Sequence, residues 1–287
     1  MIHDGGRMKK GIVQSIGLMM LAGLLLSFAV IIFHDTQSRD ERFGEMMIYD
    51  RLYDLDKSIQ HGFSKIFSSN GISLSADNSH VAIAETLPGS SRLSSELDGF
   101  SSFLQSRYFS GPAVSFDSAI LNNVKANVPI AIKPHNITIS HTSYPSGNLQ
   151  IIPSSLNLNN YTISISSSKS TISINSGGMS SGSFPVSVSV TTSYGTSAWS
   201  GNINPATSNT LLLNFDVSLP SAETVTITIT NPARLLINRG NMTFSQSVSF
   251  GLQNIGNNGV TASLPESLFT INYENDKLSK KSTVILA

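Results

Sequence analysis

The sequence contains no cysteine, few charged residues and no excess of either charge. Of its 287 residues 13% are charged, with 18 basic and 18 acidic side chains. The absence of cysteine excludes disulfides, thiolate metal sites and cysteine nucleophiles. The absence of a basic excess leaves nothing to neutralise phosphate, so nucleic acid is not an expected partner. No phosphate-cradling glycine loop or calcium loop is present, and we expect no cofactor.

Charge is also missing from a long stretch near the N-terminus. The 23 residues from Gly11 to Phe33 include no charged side chain, and about 20 helical residues span the hydrocarbon layer of a membrane. Its bulky end, FAVIIF, does not suit a secretory cleavage site. We therefore expect a transmembrane helix over residues 12–33 after a basic leader over residues 1–11, with the lipid bilayer as a partner.

The flanking charges predict the orientation of this helix. Basic residues precede it and acidic residues follow it: Arg7, Lys9 and Lys10 before, and Asp35, Asp40 and Glu41 after. Positive residues stay on the cytoplasmic side. We expect a single-pass protein of the cell membrane, with a cytoplasmic N-terminus and an extracellular C-terminal region.

Near its start the chain has Lys9-Lys10-Gly11, followed by a short polar patch and an apolar helix. This order resembles the N-terminus of archaeal type IV pilins and pilin-like surface proteins, and the resemblance covers about 25 of the 287 residues. It implies cleavage by a prepilin peptidase between Gly11 and Ile12, and association with copies of itself or other pilin-like subunits through the N-terminal helix. Ile16 stands where many pilins have glutamate. Met1 and Met8 are both possible start residues.

Residues 34–69 are rich in charge, unlike the apolar segment before them: 12 of the 36 charged residues lie between residues 35 and 69. Apolar residues recur at helical spacing, which predicts an amphipathic stalk helix: Ile48, Leu52, Leu55, Ile59, Phe63 and Ile66. Asn70-Gly71 is a helix stop. Two arrangements are open: one helix over residues 12–67, about 84 Å long, or two helices with a break near residues 35–38.

Residues 70–112 are predicted to form a connector made of a hairpin and a short helix. Apolar and polar residues alternate on both sides of Asp77-Asn78-Ser79, which is typical of a hairpin. Further along, four apolar residues recur at helical spacing before Gly111-Pro112: Leu93, Leu97, Phe100 and Leu104.

From residue 113 onward, apolar and hydroxyl residues alternate in runs such as YTISIS, FPVSVSVTT and TVTITIT. This alternation predicts strands with one face on a core and the other in water. Turn signals separate the runs: Pro145-Ser146-Gly147, Gly177-Gly178, Asn231-Pro232 and Asn257-Asn258-Gly259. The predicted fold class is therefore α+β, with an antiparallel, immunoglobulin-like β-sandwich over residues 113–287.

The predicted β-sandwich has 14 charged residues among 175, whereas soluble sandwiches usually protect their edge strands with charge. Such a surface suits a domain that is glycosylated, crowded in a surface layer, or packed against copies of itself. Asn136, Asn160 and Asn241 begin N-glycosylation sequons, which fit an extracellular location.

No pattern in the sequence predicts catalysis or metal binding. The segment Gly178–Gly182 matches the G-x-S-x-G nucleophile motif, but no histidine follows His141 to act as a base. On one strand His135 and His141 are about 20 Å apart, too far to bind one ion. The alternating threonines from Thr224 to Thr230 fit an ordinary outward strand face better than a ligand site.

These features predict a non-enzymatic, membrane-anchored extracellular protein, most consistent with a pilin-like structural or adhesive subunit. The alternative is a permanently signal-anchored envelope protein whose β-sandwich binds a surface glycan or protein partner without forming filaments. An extracellular enzyme is disfavoured, because no cluster of titratable residues supports one.

Overall fold

The computed structural model describes residues 5–77, 79–86, 92–108, 113–216, 222–253, 259–265, 268–273 and 278–286. The chain divides into two compact units, Met1–Leu55 and Asp56–Ala287. The sequence-predicted helical and strand-rich character is confirmed, since an apolar N-terminal helix precedes a region dominated by antiparallel sheets.

Helix α1 runs from Gly5 to Ser69. Residues 35–38, where a break was one alternative, are helical. Within the described residues, Gly17–Arg39 is the segment long and apolar enough to cross a membrane, and none of it is buried. This segment fits a single membrane span or a signal anchor.

The helix ends as its sequence predicts. Gly71 has φ 74°, and the Asn70 N–H donates to the Ile66 carbonyl at 3.1 Å. A left-handed glycine after the last helical residue is the common way to end a helix. On the predicted apolar stripe Ile59 and Phe63 are buried.

Two further helices lie in the described part of the second unit. Helix α2, Leu93–Tyr108, buries Leu93, Leu97 and Leu104 at the predicted spacing. Helix α3, Ser118–Asn127, begins at Asp117, whose carboxylate accepts from the N–H groups of Ala119 at 2.8 Å and Ile120 at 3.2 Å. This cap satisfies backbone donors that have no partner within the helix.

The first sheet has six strands. In spatial order they are β1 (Ile72–Ala76), β2 (His80–Glu85), β14 (Ser245–Leu252), β7 (Leu158–Ser166), β9 (Phe184–Thr192) and β10 (Gly195–Ile203). The hairpin of β1 and β2 joins this sheet because β2 pairs with β14.

The second sheet has eight strands. In spatial order they are β15 (Thr261–Ser263), β4 (Ile130–Lys133), β5 (Ile137–His141), β6 (Leu149–Ile152), β13 (Arg234–Asn238), β12 (Glu223–Thr230), β11 (Asn209–Phe215) and β8 (Ile172–Gly178).

A third sheet consists of β17 (Leu278–Ser282), β16 (Phe269–Tyr273) and β3 (Ala113–Phe116). The end of α1 packs on it through aromatic rings: Phe63 stacks on Phe269, with centroids 6.4 Å apart, and meets Phe100 of α2 edge-on at 5.4 Å. Asp56 of α1 also contacts β17, accepting from Lys280 Nζ at 2.8 Å and from the Ser282 hydroxyl.

One strand pair differs from the predicted antiparallel arrangement. Strands β7 and β9 are parallel neighbours, with Tyr161 opposite Val186. Between them the chain leaves the first sheet, forms β8 at the edge of the second sheet, and returns. A parallel pair requires such a crossover connection, whereas the sequence pattern of each strand is the same for either direction.

The turn signals have mixed outcomes. Pro145–Gly147 and Asn231-Pro232 lie in turns between paired strands. Gly177-Gly178 was predicted as a turn, but it ends strand β8, where Gly178 pairs with Thr210. A Cβ at Gly178 would lie 2.7 Å from the Thr210 carbonyl oxygen, so this glycine permits a close approach of two strands. Asn257 and Asn258 lie outside the described residues.

The two larger sheets bury their alternating apolar residues and contact each other inside the second unit. Ile163 and Val188 of the first sheet and Ile227 of the second are fully or almost fully buried. The Tyr161 hydroxyl of β7 donates to the Ala233 carbonyl between β12 and β13 at 2.7 Å. The immunoglobulin-like class is not confirmed. Immunoglobulin domains have seven to nine strands in total, whereas the two larger sheets here have six and eight strands in a different order.

Candidate functional site

The most exposed apolar surface of the described chain lies on α1. Twelve large apolar side chains are each 57–79% exposed: Leu18, Met19, Met20, Leu21, Leu24, Leu25, Leu26, Phe28, Val30, Ile31, Ile32 and Phe33. Burying one such side chain is worth about 1.5–3 kcal/mol. Exposure of all twelve to water is therefore unfavourable, whereas lipid solvates this surface well.

The residues of the predicted processing site precede this surface. Lys9, Lys10, Gly11 and Ile12 belong to the backbone of α1. Their side chains lie outside the described part of the structure, so its geometry does not bear on cleavage.

The three sequons differ in surroundings. Asn136, in the turn between β4 and β5, and Asn241, in the turn after β13, are exposed. Asn160 is half-buried within β7, and its side-chain oxygen accepts from the Gly251 N–H at 2.8 Å. Asn136 and Asn241 are therefore more accessible to a modifying enzyme than Asn160, whose side-chain oxygen is bonded within the sheet.

A buried group of polar side chains connects the two larger sheets; we call Glu85, His141, Arg239 and Gln246 the inter-sheet cluster. All four are at most 3% exposed. Glu85 accepts from Gln246 Nε2 at 2.8 Å and from the Arg239 guanidinium at 3.2 Å, while His141 Nε2 lies 2.7 Å from its other oxygen. Glu85 and Gln246 belong to the first sheet, and His141 and Arg239 to the second.

The electrostatics of the cluster favour the ionised form of Glu85. Burial opposes ionisation, but the charges of His141 and Arg239 and the hydrogen bond from Gln246 outweigh it, so the pKa of Glu85 is lowered. Burial lowers the pKa of Arg239 against the opposing effect of Glu85. Burial and the Glu85 charge raise the pKa of nearby Tyr144 to about 12. The cluster is buried, and its contacts link the first sheet to the second.

Sequence reasoning overlooked three of these four residues, although a signal was present. Glu85 is the last inward-facing residue of β2, Gln246 is the first of β14, and Arg239 follows β13 in the phase of its buried residues. Glu85 follows Val81 and Ile83 in phase, and Gln246 precedes Val248 and Phe250 in phase. A polar residue that keeps the apolar phase at a strand end predicts a buried partner.

The serine of the nucleophile motif and the two histidines considered as metal ligands lie in a loop, a turn and the inter-sheet cluster. Ser180 of the G-x-S-x-G match follows β8 in a loop, where its hydroxyl is 2.5 Å from Asn209 Oδ1 and 2.9 Å from Thr207 Oγ1. His135 lies in the turn before β5, and His141 belongs to the inter-sheet cluster. Within the described residues, no three His, Asp or Glu side chains are grouped to hold a metal ion.

The threonines of β12 do not form a continuous hydroxyl surface. On the outer face of the second sheet Thr226 lies opposite Leu212, and Thr228 lies opposite Leu236. A more uniform surface occurs on the outer face of the first sheet, where serine and threonine of three adjacent strands are in register; we call it the hydroxyl face. Its central members are Ser247, Ser249, Thr162, Ser164, Ser187 and Ser189.

The hydroxyl face is uncharged and partly bonded to itself. The Ser187 hydroxyl donates to Thr162 at 3.3 Å, and the Ser189 hydroxyl donates to Ser164 at 3.0 Å. Neighbouring positions are equally small, as Ala84 faces Ser247 and Ala198 faces Ser189. Such a surface has no long charged side chain to keep a second surface away.

Comparisons of this chain with protein-family models, curated proteins and solved structures found no match.

Proposed function

We propose that this chain is a non-enzymatic, membrane-anchored extracellular protein that serves as a pilin-like structural or adhesive subunit. The observation that carries the proposal is the apolar segment Gly17–Arg39 of α1, none of which is buried. A segment of this length and exposure suits a lipid environment. The β-rich unit that follows in the chain uses its buried ionisable groups for internal contacts, as the inter-sheet cluster illustrates.

Three further features support an extracellular location. The basic residues before the apolar segment favour a cytoplasmic N-terminus. The exposed sequons at Asn136 and Asn241 suit N-glycosylation, and an uncharged hydroxyl face suits a crowded surface. We also propose that the two larger sheets pack face to face as a β-sandwich, supported by the contacts of Tyr161 and Glu85 between them.

The alternative function is that of a permanently anchored envelope protein whose β domain binds a surface glycan or protein without polymerising. The hydroxyl face favours this alternative, because it offers many hydrogen-bonding groups outside the membrane segment. The two functions share the anchor and differ in whether the leader is removed.

Processing of the leader distinguishes the two functions. The experiment is intact-mass measurement and N-terminal sequencing of the native protein from the membrane fraction. A mature chain that begins at Ile12 supports the pilin-like subunit, whereas a chain that retains Met1 or Met8 supports the permanent anchor.

Two glycine variants make this experiment specific. Gly11→Leu should block cleavage, because the peptidase of the resembled family cuts after a small residue. Gly17→Leu is the matched control: it adds the same side chain six residues later, where a Cβ meets no atom within 4 Å, and should be processed normally. Equal processing of both variants would contradict prepilin-type cleavage.

A further inference from the structure

We propose that strand β10 is a homodimer interface, through which two copies of this chain join their first sheets edge to edge. Strand β10 is the last strand of the first sheet and pairs on one side only, with β9. The proposal concerns the β domain alone and does not rest on the membrane anchor or on processing at Gly11.

The geometry of the β9–β10 hairpin defines which residues of β10 have backbone groups at the free edge. Strands β9 and β10 are joined by a two-residue turn, and Gly195 is opposite Thr192. In such an antiparallel hairpin, alternate residues direct their N–H and C=O groups away from the partner strand. These residues are Thr196, Ala198, Ser200 and Asn202.

Only the last of these positions is covered within the described chain. The Gly182 N–H donates to the Asn202 carbonyl at 3.2 Å. The outward backbone groups of Thr196, Ala198 and Ser200 have no backbone partner among the residues that the structure describes. An edge with unpaired groups is a template for pairing with another strand.

The composition of the edge does not oppose such pairing. Charged residues, proline and bulges are the usual means by which proteins protect edge strands. Strand β10, GTSAWSGNI, has no charged residue and no proline, and its register with β9 is continuous. The adjacent edge of the second sheet, β8, is ISINSGG and is equally uncharged. Two copies therefore approach without like-charge repulsion at either edge.

The free stretch is self-complementary about Ala198, which is why we assign a second copy as the occupant. In a twofold antiparallel pairing, Ala198 faces Ala198 of the other copy, and Thr196 faces Ser200. The Thr196–Ser200 pair occurs twice because of the twofold symmetry, which gives three facing pairs. Each pair exchanges two N–H···O bonds, or about six in all. The intervening pairs place the half-buried Trp199 of each copy opposite Ser197 of the other, which covers more of the indole.

The absence of cysteine in the natural chain allows a direct test. In the proposed dimer, two Ala198 Cα atoms are about 5.5 Å apart, within the range that a disulfide spans. Ala198→Cys in the full chain, purified in detergent and mildly oxidised, should yield a product of twice 30.7 kDa on a non-reducing gel. Ser164→Cys, on the same outer face but in the central strand β7, is the matched control.

We expect Ala198→Cys to cross-link at least about tenfold faster than Ser164→Cys, because pairing raises the effective concentration of the thiols. Equal rates would overturn the proposal. Dimerisation through α1 alone would also give equal rates.

A second pair of variants tests the edge without cross-linking. Ala198→Lys places two like charges opposite each other and should abolish the dimer in native mass spectrometry, whereas Ser164→Lys should leave it intact. A wild-type chain that is monomeric, or an Ala198→Lys chain that is still dimeric, would refute the interface.

Discussion

At the residue scale, Glu85 is the centre of the inter-sheet cluster, because three side chains from three other strands or strand ends converge on it. Its carboxylate is compensated by Arg239 in the other sheet. Removing one member of a buried ion pair leaves the other uncompensated and costs about 3–5 kcal/mol. The cluster therefore fixes which ends of the two sheets come together.

Acid should weaken the protein through this carboxylate. The pKa of Glu85 is lowered in the folded state, so the stabilisation it provides is fully present above the unfolded-state value of about 4.3 and is lost as the pH falls through the folded-state pKa. We expect the free energy of unfolding, from urea titrations at neutral and acidic pH, to fall less steeply with acid in Glu85→Gln than in wild type.

The control is a double variant, Glu85→Gln with Arg239→Met, which removes both members of the Glu85–Arg239 ion pair. It should recover much of the stability that Glu85→Gln alone loses at neutral pH. If wild type and Glu85→Gln lose stability in parallel on acidification, the inter-sheet cluster is not the acid-sensitive group.

At the scale of elements, residues at the helix ends determine where helices begin and end. Which strands pair depends instead on contacts between residues far apart in the sequence. Gly71 ends α1 and Asp117 begins α3, and both effects are legible in the sequence. Sequence patterns also predict that β7, β9 and β12 are strands. They do not reveal that β7 and β9 are parallel, because the alternation of buried residues is independent of strand direction.

The cap of α3 provides a prediction at this scale. Asp117→Ala removes both acceptor contacts to the first turn and should lower the free energy of unfolding by about 1 kcal/mol. Asp117→Asn keeps a capping oxygen and should be nearly neutral. Urea denaturation of the three proteins measures the difference, and equal losses for both variants would show that charge, rather than capping, matters here.

At the scale of the whole molecule, the chain combines a lipid-compatible segment with a β domain. This domain buries an apolar core and contains no disulfide to stabilise it. The membrane segment and the strand-rich region are predictable from the sequence, because each depends on local apolar pattern. The contacts of the inter-sheet cluster are harder to predict from the sequence. Arg239 and Glu85 are 154 residues apart, and nothing in the sequence near either residue identifies them as partners.

Membrane retention is the corresponding prediction. Leu24→Arg with Phe28→Arg places two charges within Gly17–Arg39, at a cost of about 2.5–3.5 kcal/mol each near the centre of a span. This variant should be released from membranes by alkaline carbonate, while the wild type stays in the pellet. Leu24→Ala with Phe28→Ala should also stay, and its release would show that retention needs these particular side chains.

The position of β2 in the first sheet has a consequence for biosynthesis. Glu85 and Gln246 are bonded neighbours across adjacent strands but are 161 residues apart in the chain. The hairpin of β1 and β2 must therefore wait for β14 while the intervening strands leave the ribosome. Contacts of such long range form slowly. The first sheet therefore closes only after β14 has been synthesised, and β2 lacks this neighbour while the strands between them are made.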